Sequence, residues 1–363
     1  MTLARKLADT AGRPQVDKNL LINGGMNVWQ RNTNATGLTA SGYYAADRWK
    51  LGLGTLGTWS IIRSTDVPSG QGFGYSLKMD CTTADASPAA GDFLTMDQSF
   101  EGQNLQHIMK GSSSAKSTVL TFWVKSNKTG TYNVEWYDED NTRHFSKSYT
   151  IDSANTWEKK TISIPPDVTG TWNNDNTRCS WISFWLAAGS NYTTGSSATS
   201  WASITQANRA PGQVNLADST SNEFYITGCQ LEIGEAATDF QFEPYDTVLR
   251  KCQRYFYKVG GGALDSGTFT FFFMAHGTNS GSVLFCHRYH PVVMRAEPSY
   301  TSSGSFNFNY HNTSAAFTPG LLDGNVSNAV VLWIRGTAVN TTSPGNILAN
   351  GDATANIQVN AEL

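Results

Sequence analysis

Few residues in this chain of 363 have types and spacings that could do chemistry. Cys286-His287-Arg288-Tyr289-His290 is the one cluster that brings metal-ligating side chains together. On a strand, His287 and His290 point to opposite faces. A zinc centre would need a bend there and further ligands, from His276, from His311 or from a threefold axis. Otherwise these are ordinary histidines of a β domain. Asp138, Glu139 and Asp140 form the only tight acidic cluster. Glycoside hydrolysis needs two carboxyl groups about 5–10 Å apart across a cleft, whereas Asp138-Glu139-Asp140-Asn141 between two strand patterns reads as a hairpin turn. There is no Gly-x-Ser-x-Gly elbow and no Walker-type phosphate loop. Gly260-Gly261-Gly262 reads as a flexible break. The sequence therefore points away from an enzyme and implies no cofactor.

Sugar binding asks for something else: aromatic rings that cover pyranose faces, with amides and carboxylates to bond the hydroxyls. Three loop aromatics meet that description. Trp172 lies in Thr-Gly-Thr-Trp-Asn-Asn-Asp-Asn, Tyr192 in Gly-Ser-Asn-Tyr-Thr-Thr, and Trp201 at the end of the same polar stretch. A tryptophan left in water without a use is a sticky surface feature. These three are the glycan-binding candidates, the alternatives being contact with another protein or packing under their own loops.

The elements that would position them are strands. Charged residues are 15% of the chain and aromatics 12%, with 33 glycines; low charge, many aromatics and frequent turn residues fit an all-β protein. Candidate strands include Asn19–Gln30, Arg48–Leu53, Trp59–Arg63, Tyr75–Cys81, Leu94–Phe100, Val119–Ser126, Tyr132–Tyr137, His144–Ile151, Trp157–Ile164, Trp181–Ala187 and Glu223–Ile233. Short alternating strands between Gly, Asn, Asp and Ser clusters predict a sandwich or barrel. Residues 247–258 are densely basic and, with the triple glycine behind them, read as a linker over 247–259. Further strands, among them Thr268–Ala275, Gly281–His287, Ser305–His311, Val326–Arg335 and Asn356–Ala361, place a second, smaller β domain at 260–363. Thr268–Met274 is apolar and aromatic on both faces, the pattern of a strand buried on both sides, such as one at a subunit contact. Residues 1–18 stand apart. Leu3, Leu7 and Ala11 make a short helical pattern that Gly12-Arg13-Pro14 stops.

Several classes drop out. A formal net charge of −3 opposes nucleic acid as the main partner, since phosphate binding rests on clustered Lys and Arg. No apolar run reaches the 18–20 or so residues that span a bilayer as a helix, so membrane insertion is not expected. The N-terminus has no apolar signal core, which predicts a chain made in the cytoplasm and not exported through a secretory pathway. Five cysteines, an odd number with no CxxC pair, read as free thiols. No internal repeat appears, so neither a fibrous shaft nor a repetitive β-helix is expected.

A set of motifs carries a family resemblance. Asn19-Leu20-Leu21-Ile22-Asn23-Gly24-Gly25-Met26-Asn27-Val28-Trp29-Gln30-Arg31 resembles the opening strand of phage tail-fibre and virion-appendage proteins. Tyr44-Ala45-Ala46-Asp47-Arg48-Trp49, Leu120–Ser126, Thr156–Ile162, Phe224–Gly234 with Ala237–Phe240, and Cys252-Gln253-Arg254-Tyr255-Phe256-Tyr257 follow in the family's order. Together they cover about 19–258. Pro291–Pro298 looks like a segment common in the tip domains of such proteins. The resemblance implies a jelly-roll β-sandwich over 19–246, similar to carbohydrate-binding modules, then a smaller C-terminal β domain. It also implies a homotrimer, a place on the surface of a phage particle, on the tail rather than the head, and adhesion to a host-surface polysaccharide. Residues 1–18, through Leu3 and Leu7, would join other virion proteins. Related jelly rolls often hold a structural calcium near their first and last strands. Here Thr227-Gly228 stands where an Asp pair would supply oxygen ligands, so no metal is expected. Trp29, Trp49, Trp123 and Trp157 are expected in the core, and Asp47-Arg48 as a turn or edge pair. The alternatives are a head-decoration or tail-assembly protein with structural contacts only and, behind it, a polysaccharide depolymerase.

Overall fold

The structure, a computed structural model, describes residues 18–260, 270–277, 284–286, 290–310, 313–322, 333–337, 344–349 and 355–363, with side chains for 18–260, 290–306 and 355–363. Leu3 and Leu7, and the cluster residues His287, Arg288 and Tyr289, lie outside them. The chain forms two units. The first takes residues 18–26, Thr36–Ser41 and Leu51–Glu243; the second takes Asn27–Ala35, Gly42–Lys50 and the described residues from Pro244 to Leu363. The second unit thus begins far upstream of the predicted boundary at residue 260.

The first unit is a jelly-roll β-sandwich. One sheet runs in the order β1 (Asn34–Leu38), β3 (Thr58–Ser64), β4 (Ser76–Thr83), β12 (Glu223–Ile233), β6 (Thr118–Ser126), β9 (Glu158–Ile164). The other runs β11 (Ala202–Ser203), β8 (Arg143–Ile151), β7 (Gly130–Asp138), β10 (Arg178–Ala188), β5 (Phe93–Glu101), β2 (Lys50–Gly54). After β4 the chain crosses from sheet to sheet at most connections; the β7–β8 hairpin, turning at Glu139–Thr142, and the β10–β11 connection are the exceptions. The principal pairings are antiparallel. Alternation explains the layers. In β6, Leu120, Phe122 and Val124 are buried while Trp123 and Lys125 are half-exposed. Phe122 meets Phe184 of β10 at 5.0 Å and Tyr149 of β8 at 5.1 Å, and Tyr132 of β7 meets Phe224 of β12 at 5.8 Å. Each such side chain contributes about 1.5–3 kcal/mol on burial.

Three expectations change here. Residues 19–30 are a turn and irregular chain. Asn23 and Met26 have positive φ (60° and 55°), which no strand accommodates. The segment docks on β12 instead, by Leu20 N–H to the Leu231 carbonyl (2.8 Å) and Cys229 N–H to the Gly24 carbonyl (3.0 Å). A Cβ on Gly24 would fall 1.9 Å from the Cys229 oxygen, so only glycine allows this approach. Next, Trp123 and Trp157 stand on the outer face of the first sheet. Trp157 donates to Asp66 (2.9 Å) and packs on Tyr225 (6.2 Å), while Trp29 and Trp49 are buried as expected. Finally, residues 247–259 contain α1 (Tyr245–Gln253) and most of β13 (Phe256–Gly260). The helix buries Val248 and Cys252, four residues apart, and its Asp246 and Arg250/Lys251 suit the two ends of the helix dipole.

In the second unit, β13 pairs with β21 (Asn356–Asn360), which pairs with β16 (Ser299–Ser303). A six-stranded sheet runs β15 (Leu284–Cys286), β14 (Thr270–Gly277), β20 (Pro344–Ala349), β17 (Phe306–Tyr310), β18 (Thr313–Leu322), β19 (Trp333–Thr337). The apolar segment Thr268–Met274 thus falls largely in an inner strand. Two motifs distant in sequence meet in this unit. Arg31 lies 3.6 Å from the Phe256 ring centre and Arg48 lies 3.5 Å from that of Tyr255. Arg31 pairs with Asp47 (3.4 Å) and Glu362 (3.3 Å), and Arg48 also pairs with Glu362. Asp47 and Arg48 are therefore interior groups, at 0% and 1% exposure. Arg48 adopts a turn conformation with φ of 72°, but packing on Tyr255 buries it rather than leaving it at an edge.

Candidate functional site

The outer face of the β8–β7–β10–β5 sheet is built in rungs. Antiparallel register sets His144, Tyr137, Trp181 and Ser99 side by side. The next rung is Ser146, Glu135, Ser183 and Asp97, and the one after it Ser148, Asn133, Trp185 and Thr95. Hydroxyls, carboxylates and an amide fill most of these positions, where an ordinary solvent face would carry long charged side chains. Tyr137 and Trp181 break the pattern. They are direct cross-strand partners, with ring centres 4.3 Å apart and planes at 29°, and both are half-buried. The Arg178 guanidinium lies 4.6 Å from the indole centre and is held by Glu139 through two bonds of 2.6 and 2.5 Å. On the tyrosine side the Arg209 guanidinium lies 5.4 Å away. Burial pushes the Tyr137 hydroxyl above its ordinary value, with Arg209 opposing and nearby carboxylates reinforcing, so at neutral pH it stays a proton donor. The pair is a fixed apolar step with polar edges, suited to a polyhydroxylated ligand.

The adjoining rungs lie under the loop of residues 189–215. Glu135, at 0% exposure, accepts from Arg209 Nε (2.9 and 3.0 Å) and from Trp185 Nε1 (3.3 Å), and lies 2.9 Å from His144 Nδ1. Burial pushes the Glu135 carboxyl up, but Arg209 and His144 outweigh it and hold it below its ordinary value. The loop is further tied by Ser146 Oγ to the Asn208 carbonyl (2.5 Å) and Asn133 Nδ2 to the Pro211 carbonyl (3.2 Å). One part of the polar face is thus closed and the Tyr137–Trp181 rung left half-open.

The three loop aromatics separate. Trp172 is stacked on Trp136 (5.6 Å, 28°), and Trp201 packs on the same ring (5.5 Å) while donating to the Pro165 carbonyl (2.9 Å). Both are buried. Lys110 fixes this end of the sandwich, with its Nζ 2.5 Å from Asp138 and 3.2 Å from Asp167 and donating to the Thr169 and Gly170 carbonyls. Long polar loops fold back here and bury their largest side chains, so Trp172 and Trp201 pack under their own loops rather than face a ligand. Tyr192 lies elsewhere, half-buried against Trp185 (5.2 Å) and Phe93 (6.3 Å). Tyr137 and Trp181 were not among the predicted site residues. Each sits at an outward position of an alternating strand, and only the register between β7 and β10 reveals them as a pair.

At the end of β12, Lys18 Nζ lies 3.0 Å from Glu232 and also donates to Thr238, so a side-chain ammonium neutralises that carboxylate. Thr227-Gly228 falls in a β-bulge, with Gly228 at φ 62°. Among the described residues no group of three or more His, Cys, Asp or Glu side chains could hold a metal. His290 Nδ1 instead lies 2.7 Å from the Tyr257 hydroxyl. Cys81, Cys179, Cys229 and Cys252 are free and buried.

No family model matches the chain, and none of the curated proteins does. Several solved structures resemble the chain, three of them as follows. The enzymatically active domain of bacteriophage CBA120 tailspike protein 4 is 15% identical at a TM-score of 0.33, over 60% of this chain and 22% of that one. The Clostridium thermocellum family 11 carbohydrate-binding module, solved with a β-1,3-1,4-mixed-linked tetrasaccharide, is 13% identical at 0.28, over 56% and 96%. The C-terminal family 22 module from the same organism is 11% identical at 0.29, over 62% and 99%. The chain thus matches about a fifth of the tailspike's length and nearly the whole of each module.

Proposed function

We propose that the chain is a non-enzymatic, glycan-binding appendage of a phage particle, more specifically a tail fibre or receptor-binding component, and that the Tyr137–Trp181 rung makes its sugar contact. The observation that carries the reading is that half-exposed aromatic pair, set in a sheet face lined mostly by hydroxyl, carboxylate and amide groups. The exposed ring edges of such a step give a sugar an apolar contact, and Arg178 and Glu139 beside it offer polar groups to the hydroxyls. Tyr192, half-buried at the covering loop, is the one predicted aromatic left with surface to offer. The acidic cluster favours adhesion over cleavage. Asp138 is engaged by Lys110 and Asn141, Glu139 by Arg178, and Asp140 by the Asn173 N–H. The sequence resemblance supplies the rest of the proposal: attachment through residues 1–18, and a homotrimer that multiplies weak sites into firm adhesion.

The test is adsorption competition. The purified chain is added to host cells before the phage, and free phage are counted. A dose-dependent loss of adsorption, abolished by stripping surface glycans and weakened about tenfold by Trp181→Ala, is the expected result. A folded, oligomeric chain that neither binds cells nor competes would refute adhesion. A component with structural contacts only would then be the better account.

A further inference from the structure

The second unit holds a cavity of about 590 Å³, within the range of small-molecule sites of about 300–1,000 Å³. Its floor is one face of the β13–β21–β16 sheet. The sequence Asn356-Ile357-Gln358-Val359-Asn360 alternates strictly. Ile357 and Val359 are fully buried on one side, and all three carboxamides line the cavity on the other. Register sets Lys258 beside Gln358 and Phe256 beside Asn360. Arg31 and Tyr43 are among the residues that complete the wall.

The chemistry of this lining is specific. A carboxamide presents a donor and an acceptor in one plane, the pair that adjacent sugar hydroxyls need. Three in a row on a rigid strand are unusual, because Asn is depleted in strands. Among the described residues, no acidic side chain lines the cavity. Of its two cations, Arg31 is held against Asp47 and Glu362, whereas Lys258 has no acidic partner among the described residues. Charge is therefore left over at one point of an otherwise neutral, amide-rich surface.

We propose that this cavity binds an acidic saccharide, a disaccharide-sized unit whose hydroxyls meet the Asn356–Gln358–Asn360 row and whose carboxylate meets Lys258. The proposal does not rest on the Tyr137–Trp181 reading, which concerns the other unit.

The probes are digalacturonate and its neutral counterpart galactobiose, titrated into the full chain by calorimetry and by ligand-observed saturation-transfer NMR. Digalacturonate is expected to bind, more weakly at high salt, and to lose about tenfold in affinity in Lys258→Gln. Gln358→Ala should weaken both sugars, and Trp181→Ala should change neither. Thermal unfolding confirms that each variant is folded. The proposal is overturned if digalacturonate fails to bind, if Lys258→Gln binds it as well as the parent chain, or if Trp181→Ala rather than Lys258→Gln abolishes binding. Inorganic phosphate displacing digalacturonate at equal concentration would also overturn it, since the site would then recognise an anion without its sugar.

Discussion

Replacing Arg209 by methionine removes the cation that neutralises Glu135 while keeping much of the side chain's bulk. In the parent protein Arg209 makes contacts of 2.9 and 3.0 Å from Nε and 2.9 Å from Nη2 to the Glu135 carboxylate, which has 0% exposure. Without them a buried carboxylate keeps only His144 and Trp185. Breaking one side of such a pair costs about 3–5 kcal/mol, or roughly 6–20 °C in the unfolding midpoint of a unit this size. Glu135→Gln combined with Arg209→Met should recover part of the loss, because no charge is then stranded. Acid adds a second signature. The Glu135 carboxyl titrates below its ordinary value in the folded chain, so its stabilising effect is complete above the unfolded pKa and is lost as pH falls through the folded one. Arg209→Met should flatten that acid limb. Urea unfolding followed by tryptophan fluorescence at several pH values measures both effects. A single variant within about 1 kcal/mol of the parent, the level of a surface pair, would refute the claim that this ion pair closes the loop over the sheet.

Asp47 should give the opposite pH dependence. Burial raises its carboxyl to about 7 despite Arg31 nearby. Between about pH 4 and 7 the folded chain therefore keeps a proton that the unfolded chain has lost, and stability falls as pH rises through that window. Asp47→Asn should gain on the parent by on the order of 2–3 kcal/mol between pH 5 and 8, and a difference constant across that range would contradict the assignment. Trp172 stacks on Trp136, and its buried Nε1 has no partner among the described residues. Trp172→Phe should cost about 1 kcal/mol or less and Trp172→Ala about 3–5 kcal/mol, with cell binding of the folded variants unchanged; reduced binding at equal foldedness would return Trp172 to the ligand surface. Burial raises the thiols of Cys81 and Cys179 to about 11 and about 12, and holds those of Cys229 and Cys252 well above their ordinary value. All four should resist a disulfide reagent until the chain unfolds, and rapid labelling of the native protein would count against their burial.

Alternation alone located ten of the twelve strands of the first unit, because a half-buried strand writes its two faces into the sequence. β1, with Gly37 inside it and three of five residues exposed, left little such signal. Register left none. Tyr137 and Trp181 became a pair only when β7 lay beside β10, and no local pattern encodes which outward positions will meet. Loop aromatics misled for a related reason: a polar neighbourhood in sequence does not say whether the ring turns outward, and Trp172 and Trp201 both turn in. The stretch 247–259 drew attention to its charge, while the burial of Val248 and Cys252 at helical spacing was the more informative feature. In Asn19–Gln30 the apolar residues suggested a strand, but Asn23-Gly24 had already specified a turn.

The ion cluster of the second unit also bears on the order in which the protein can be made. Arg31 and Arg48 find Glu362 across separations of 331 and 314 residues. At synthesis rates of about 5–20 residues per second, the early segment waits on the order of tens of seconds for its partner to be translated. Its charged groups keep it hydrated through that interval, a safer state for an unfinished chain than a bare apolar surface. Chains stopped before Glu362 would carry both guanidinium groups without the carboxylate they share. The second unit should therefore complete its ion cluster only after Glu362 has been translated.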